Sequence, residues 1–293
     1  MSNIADKLNY LNDTKKAIKT AISNRGVAVS DDDTFRSYAS KITEIGETIE
    51  KTKFGVTVDA FLGDADANGV LYPVSSDIGI DLDFTNIEEV AEGALIYKFS
   101  NNLTIKSANF STLKKIDAMG LSYAFFISSI ENIDFSQLTT IEIGGLENAF
   151  FSSQLKNINF NSLELIAENA LNSTFSACDN LESANLSSLR VIPTYGLSNT
   201  FSYCPALTNV NFDSLETVDI YGLSGTFEEC PSLSTISFPS LININQQAFN
   251  NVFYGCLSLT EIHFRADMQE TVEAMEGYSE KWGASNATIY FDL

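Results

Sequence analysis

The sequence is short of the residues that carry most protein chemistry. Its 293 residues include one histidine, His263, one tryptophan, Trp282, and four cysteines, and 17 Lys and Arg stand against 38 Asp and Glu for a formal charge of −21. So acidic a chain repels phosphate polymers and anionic lipid, which excludes nucleic acid and membrane surfaces as partners. No stretch approaches the roughly 18 to 20 apolar residues of a membrane span. The opening MSNIADKLNYLNDTKK has no apolar leader core, so neither a transmembrane segment nor Sec-type export is expected. The lone histidine has no G-x-S-x-G, no Cys/His pairing and no phosphate loop around it, and reads as structural. Glu228 and Glu229 are adjacent on one turn, not opposed across a cleft as glycoside hydrolysis requires. No enzyme and no cofactor are expected.

What the chain does have is a repeat. From Phe84 onward, seven copies of 25 or 26 residues begin at Phe84, Phe110, Phe135, Phe160, Leu186, Phe212 and Phe238. Six residues after each anchor stand Val90, Ile116, Ile141, Ile166, Ile192, Val218 and Ile244. Fifteen residues after it a phenylalanine returns every time: Phe99, Phe125, Phe150, Phe175, Phe201, Phe227 and Phe253. A unit of this size cannot bury its apolar face alone, so stacked copies must share a continuous core, and the expected fold is a repeat solenoid. The alternating L-x-x-I-x-F end of each copy, as in Leu233, Ile236 and Phe238, predicts a short strand of a parallel β-sheet. The longer G-L-x-x-x-F-x-x-C stretch predicts a short helical or loop arc.

Cys178, Cys204, Cys230 and Cys256 all stand eighteen residues after their anchors and form one ladder. Equivalent side chains in stacked coils point the same way, which disfavours disulfides, so buried free thiols are expected.

Two further ladders are candidate binding surfaces. The residues just before the anchors include Asn109, Asp134, Asn159, Asn185 and Asn211, and those two positions earlier include Asn132, Asn157 and Asn209. Alternation along a strand turns both sets outward, either as a face that hydrogen-bonds sugars or peptide or as a merely solvated surface. The arc carries Tyr195 with Tyr221, Phe126 with Phe151 and Tyr254, and Tyr203, as rim anchors for a partner or as rings packed on the next coil.

The pattern C-x-S-L-x-x-I-x-F-x-S-L-x-x-I-x-x-x-A-F, clearest from Cys230 to Phe249, resembles the BspA-type leucine-rich repeat family over residues 84–263. The resemblance implies a solenoid of the kind found in bacterial surface adhesins and phage structural proteins, acting by interaction. This chain departs from the pattern by about three extra residues between the G-L step and the Phe, and its first three coils lack the Cys.

The flanks differ in material. Residues 1–53 hold 9 Lys and Arg against 8 Asp and Glu, leaving 8 against 30 beyond. Ile4, Leu8, Leu11, Ile18 and Ile22 make a heptad seam broken by Lys15, and Phe35, Tyr38, Ile42 and Ile45 continue it after a capping signal at Ser30 to Asp33. Residues 1–50 thus read as an N-terminal α-helical hairpin for attachment and homo-oligomerisation, a trimer being expected. KLNYLNDTKKAIKTAISNRGVAVSDDDTFRSYASKI resembles an N-terminal segment of bacteriophage virion proteins, which implies a place in the phage particle and attachment to other virion proteins. Residues 51–83 read as a linker and β-hairpin turning at Asn68-Gly69 that covers the first coil. There Asp64, Asp66 and Asn68 match the opening of a calcium loop, but Ser75 stands where the bidentate glutamate belongs, so an ordinary turn is preferred to a metal site. Residues 264–293 read as a C-terminal cap with Trp282 in its core.

The function expected from these readings is a phage tail-fibre or receptor-binding protein whose repeats bind a host surface glycan or protein. The alternatives are a structural or decoration subunit of the head or tail, and a bacterial surface adhesin.

Overall fold

A computed structural model describes residues 80–293, together with Lys16, Ile18 and Lys19, which are α-helical. Contacts divide the chain into two units, Met1–Thr52 and Lys53–Leu293. Apart from Ile18, the heptad-seam residues of the hairpin lie outside the described residues, as do the Asn68-Gly69 turn and Asp64, Asp66 and Asn68.

Within the second unit the repeat becomes a parallel β-solenoid of about eight turns. One sheet face is built from β1 (Ile80–Asp83), β3 (Ile105–Asn109), β5 (Asn132–Asp134), β7 (Asn157–Asn159), β9 (Ser183–Asn185), β11 (Asn209–Asn211), β13 (Thr235–Phe238) and β15 (Glu261–Phe264). The second is built from β2 (Glu89–Val90), β4 (Lys115–Ile116), β6 (Thr140–Ile141), β8 (Leu165–Ile166), β10 (Val191–Ile192), β12 (Thr217–Val218) and β14 (Asn243–Ile244). Pairing joins equivalent repeat positions, as Asn157 with Ser183 and Val191 with Thr217. The register is set by the buried alternate residues: slipping Ile158 by one place would turn it to water.

The core is two columns of phenylalanine. The anchors stack at 5.6 Å from Phe110 to Phe135 and again to Phe160, and the second column runs at 4.9 to 5.9 Å from Phe99 to Phe253. Leu186 interrupts the first column in the fifth coil. Most of these rings are fully buried, and removing one is expected to cost about 3–5 kcal/mol.

The arcs are not helical. At nine, thirteen and seventeen residues after each anchor, Gln247 alone excepted, the backbone has the left-handed φ, which an α-helix cannot accommodate. Alternate N–H groups close tight turns within the coil, as Ser122 to Met119, and the others donate to the next coil, as Tyr123 to the Glu147 carbonyl at 2.9 Å. Each left-handed residue that is not glycine costs about 1–2 kcal/mol. The hydrogen bonds between coils offset it, because an arc of plain loop would leave those buried amides unpaired.

The last coil is closed by a 3-10 turn (Ala266–Met268), the short helix α1 (Gln269–Glu273) and β16 (Thr288–Phe291), which pairs in parallel with β15. Trp282 is buried in this cap, edge-on to Phe249 at 5.1 Å, with its indole N–H on the Glu276 carbonyl at 2.9 Å.

Candidate functional site

On the first sheet, the residue before each anchor and the one two earlier both face outward, with a buried residue such as Ile158 or Ala184 between them. The two ladders differ in what their side chains already do. Asn109, Asp134, Asn159, Asn185 and Asn211 each accept, through a side-chain oxygen, the backbone N–H two residues on, at 2.8 to 3.2 Å. These are Asx turns that swing the chain out of the strand, so this ladder has a structural task the sequence did not announce. Asn185 also donates to Asn159 at 3.1 Å, coil to coil.

The second ladder is freer. Asn157 accepts from the Ser183 hydroxyl at 2.6 Å, while the exposed amides of Asn132 and Asn209 make no side-chain hydrogen bond among the described residues. Each such amide offers two donors and an acceptor to whatever lies on the sheet.

On the arc, the aromatic residues split into two groups. Phe126 stacks on Phe151 at 5.0 Å, and the stack extends through Tyr123 to Tyr97, which lies 4.6 Å from Tyr123. The repeat register could have shown the Tyr97–Tyr123 pair, since both stand thirteen residues after their anchors. Burial, with Glu147 and Tyr97 nearby, raises the Tyr123 phenol above its ordinary range. Tyr195 stacks on Tyr221 at 5.2 Å, whereas Tyr203 and Tyr254 make no ring contact among the described residues and are half exposed, 54% each.

The cysteine column is internal. All four thiols are free and buried, and each donates to the carbonyl of the core phenylalanine one coil back: Cys178 to Phe150, Cys204 to Phe175, Cys230 to Phe201 and Cys256 to Phe227, at 2.9 to 3.2 Å. Burial pushes Cys178 up to about 11 and Cys256 up to about 12, and raises Cys204 and Cys230 as well. Such thiols are neither nucleophiles nor metal ligands at neutral pH. The column continues into the first three coils as buried Asn102, Ser128 and Ser153. Ser153 contacts the Cys178 sulfur at 3.3 Å, but Ser128 Oγ has no partner among the described residues. A parallel column of buried threonines, Thr174, Thr200 and Thr226, returns hydroxyl protons to carbonyls of earlier coils at 2.7 to 2.8 Å.

A shallow groove between Ala91, Glu92, Asp117, Ala118, Glu142 and Ile143 marks the start of the arc in the first coils. Lys115 bridges its wall to Asp117 at 2.7 Å, and this bond raises the ammonium above its ordinary range. Among the described residues no three His, Cys, Asp or Glu converge as a metal site. His263 lies on β15 with Asp292 at 2.9 Å and Glu261 at 3.5 Å on its two ring nitrogens.

The model of the BspA-type leucine-rich repeat region matches residues 86–174, 122–252 and 171–275, in six copies. The chain belongs to the BspA-type leucine-rich repeat family. Within this BspA-type solenoid the matched region takes in the polar sheet, the aromatic arc and the cysteine column together. No curated protein matches the chain. Membership in the family points to a binding or adhesin-type role.

Proposed function

We propose that this BspA-type chain is a non-enzymatic bacteriophage virion protein of the tail-fibre or receptor-binding type. Its N-terminal segment attaches it, as a trimer, to other virion proteins, and its polar sheet binds a host surface glycan or protein. The observation that carries the reading is the pair of exposed, uncommitted amides of Asn132 and Asn209, with Asn157 between them along the ladder. Amides repeated at coil spacing suit a ligand that itself repeats hydrogen-bonding groups, as polysaccharides do. The particle assignment rests on the resemblance of the N-terminal segment.

The test is binding of labelled full-length protein to a panel of bacterial cells and their purified surface polysaccharides. Binding that falls at least about tenfold in Asn132→Ala/Asn157→Ala/Asn209→Ala, with melting unchanged, supports the reading, since several lost hydrogen bonds correspond to at least that factor. Absence of binding to any cell, together with tight docking to a head or tail protein, supports a decoration subunit in its place.

A further inference from the structure

β16 is the last strand along the first sheet face, and no strand among the described residues follows it. Among the described residues β15 is its single neighbour in the sheet. The N–H of Thr288 faces β15, donating to the Thr260 carbonyl at 2.8 Å. Alternate residues of a parallel strand address opposite neighbours, so the N–H and C=O groups of Ile289 and Phe291 face away from β15.

Burial agrees with this. Ile262 and Phe264 are fully buried, whereas Ile289 and Phe291, paired with them one strand on, are half-buried. The cap buries Met268, Val272 and Trp282, whereas Ile289 and Phe291 pack against the core only partly covered. On the outer face the Tyr290 ring lies on His263, with centroids 4.9 Å apart and planes within 13°, and its other face looks past the free edge. The surroundings are acidic: seven carboxylates between Glu261 and Leu293 stand against Arg265 and Lys281. Both cations are engaged, Arg265 by Asp267 and Lys281 by the carbonyls of Ser285 and Ala287.

We propose that β16 is a docking edge for an extended, lysine- or arginine-bearing strand of a partner protein, which adds to the solenoid sheet. Its backbone pairs with Ile289 and Phe291, and its inward apolar residues complete the cover over those two side chains. An outward cation lies on the open face of Tyr290, near Asp292. Charge selects the partner: a second copy of this cap would bring seven more carboxylates up to the first, while a basic strand is attracted. An unpaired edge left in this state would otherwise template aggregation. The inference is independent of the polar ladder.

The probe is a short peptide alternating lysine and valine, with two controls: the glutamate–valine counterpart, and the lysine–valine peptide N-methylated on alternate backbone nitrogens so that it cannot pair. Amide hydrogen exchange of the full chain is followed with each. Docking predicts that the lysine–valine peptide slows exchange at Ile289 and Phe291 by about tenfold or more, and that neither control does. Unchanged exchange at β16, protection mapping to another part of the solenoid, or equal protection by the N-methylated peptide would overturn the proposal.

Discussion

The carboxylate of Glu229 lies over Gly255, so that a β-carbon added to that glycine would stand 2.6 Å from the Glu229 Cδ. Both residues are seventeen positions after their anchors, and both have left-handed backbones, with φ of 56° and 77°. The side chain of one coil thus leans along the solenoid axis onto the next. Asn199 does the same over Gly225, and where both positions hold a ring, as in Tyr195 and Tyr221, the rings stack.

Gly255→Ala is therefore expected to destabilise the fold by about 2 kcal/mol, combining left-handed strain with the clash. Adding Glu229→Ala should return the steric part and leave about 1 kcal/mol of backbone strain. Urea denaturation of the two single variants and the double variant measures the coupling. Strict additivity would show that the side chain does not press on the glycine.

Ser128 and Ser153 occupy the same repeat position but should respond oppositely to truncation. Ser128→Ala removes a buried hydroxyl with no partner among the described residues and should stabilise the protein by about 1 kcal/mol, whereas Ser153→Ala breaks the contact to Cys178 and should cost about as much. Melting curves of the two variants decide it.

The thiol column makes stability depend on alkaline pH. Folding raises the thiol pKa values, so this contribution is fully present below the unfolded value of about 9 and is lost as pH rises through the folded values, about 11 for Cys178 and about 12 for Cys256. For Cys178 alone the loss by pH 11 is about 2 kcal/mol. Denaturation from pH 8 to 11 should show a decline that is shallower by about that amount in Cys178→Ala. At pH 8 the native protein should not react with a thiol reagent until it unfolds.

If the N-terminal segment is the oligomeriser, the whole chain should have about three times its monomer mass by light scattering, and residues 54–293 should be monomeric. Equal stoichiometry in both would show that the N-terminal segment is not the oligomeriser.

Much of the buried architecture was legible beforehand, and for a definite reason. Phe99, Phe125 and Phe150 repeat because identical coils must fill identical space, and the cysteine ladder repeats because its site is always the same buried pocket beside a phenylalanine carbonyl. The arc was not legible. Its left-handed positions hold Met119, Tyr123, Ser152 and Glu229 as readily as glycine, so composition conceals a conformation that hydrogen bonds to the neighbouring coil impose. The candidate site was half legible: alternation placed both asparagine ladders outside, but could not separate Asn109, bound to the Ser111 N–H, from the uncommitted Asn132.

The sequence by itself determined that this is a solenoid and which repeated side chains lie in its core, because those properties follow from periodic burial. Only the tertiary structure decided what each surface polar group is free to do. Glu229 over Gly255, the Asx turns of the sheet and the open edge of β16 all depend on where a side chain or strand lies relative to the next coil, some 26 residues away in the chain and one strand away in space.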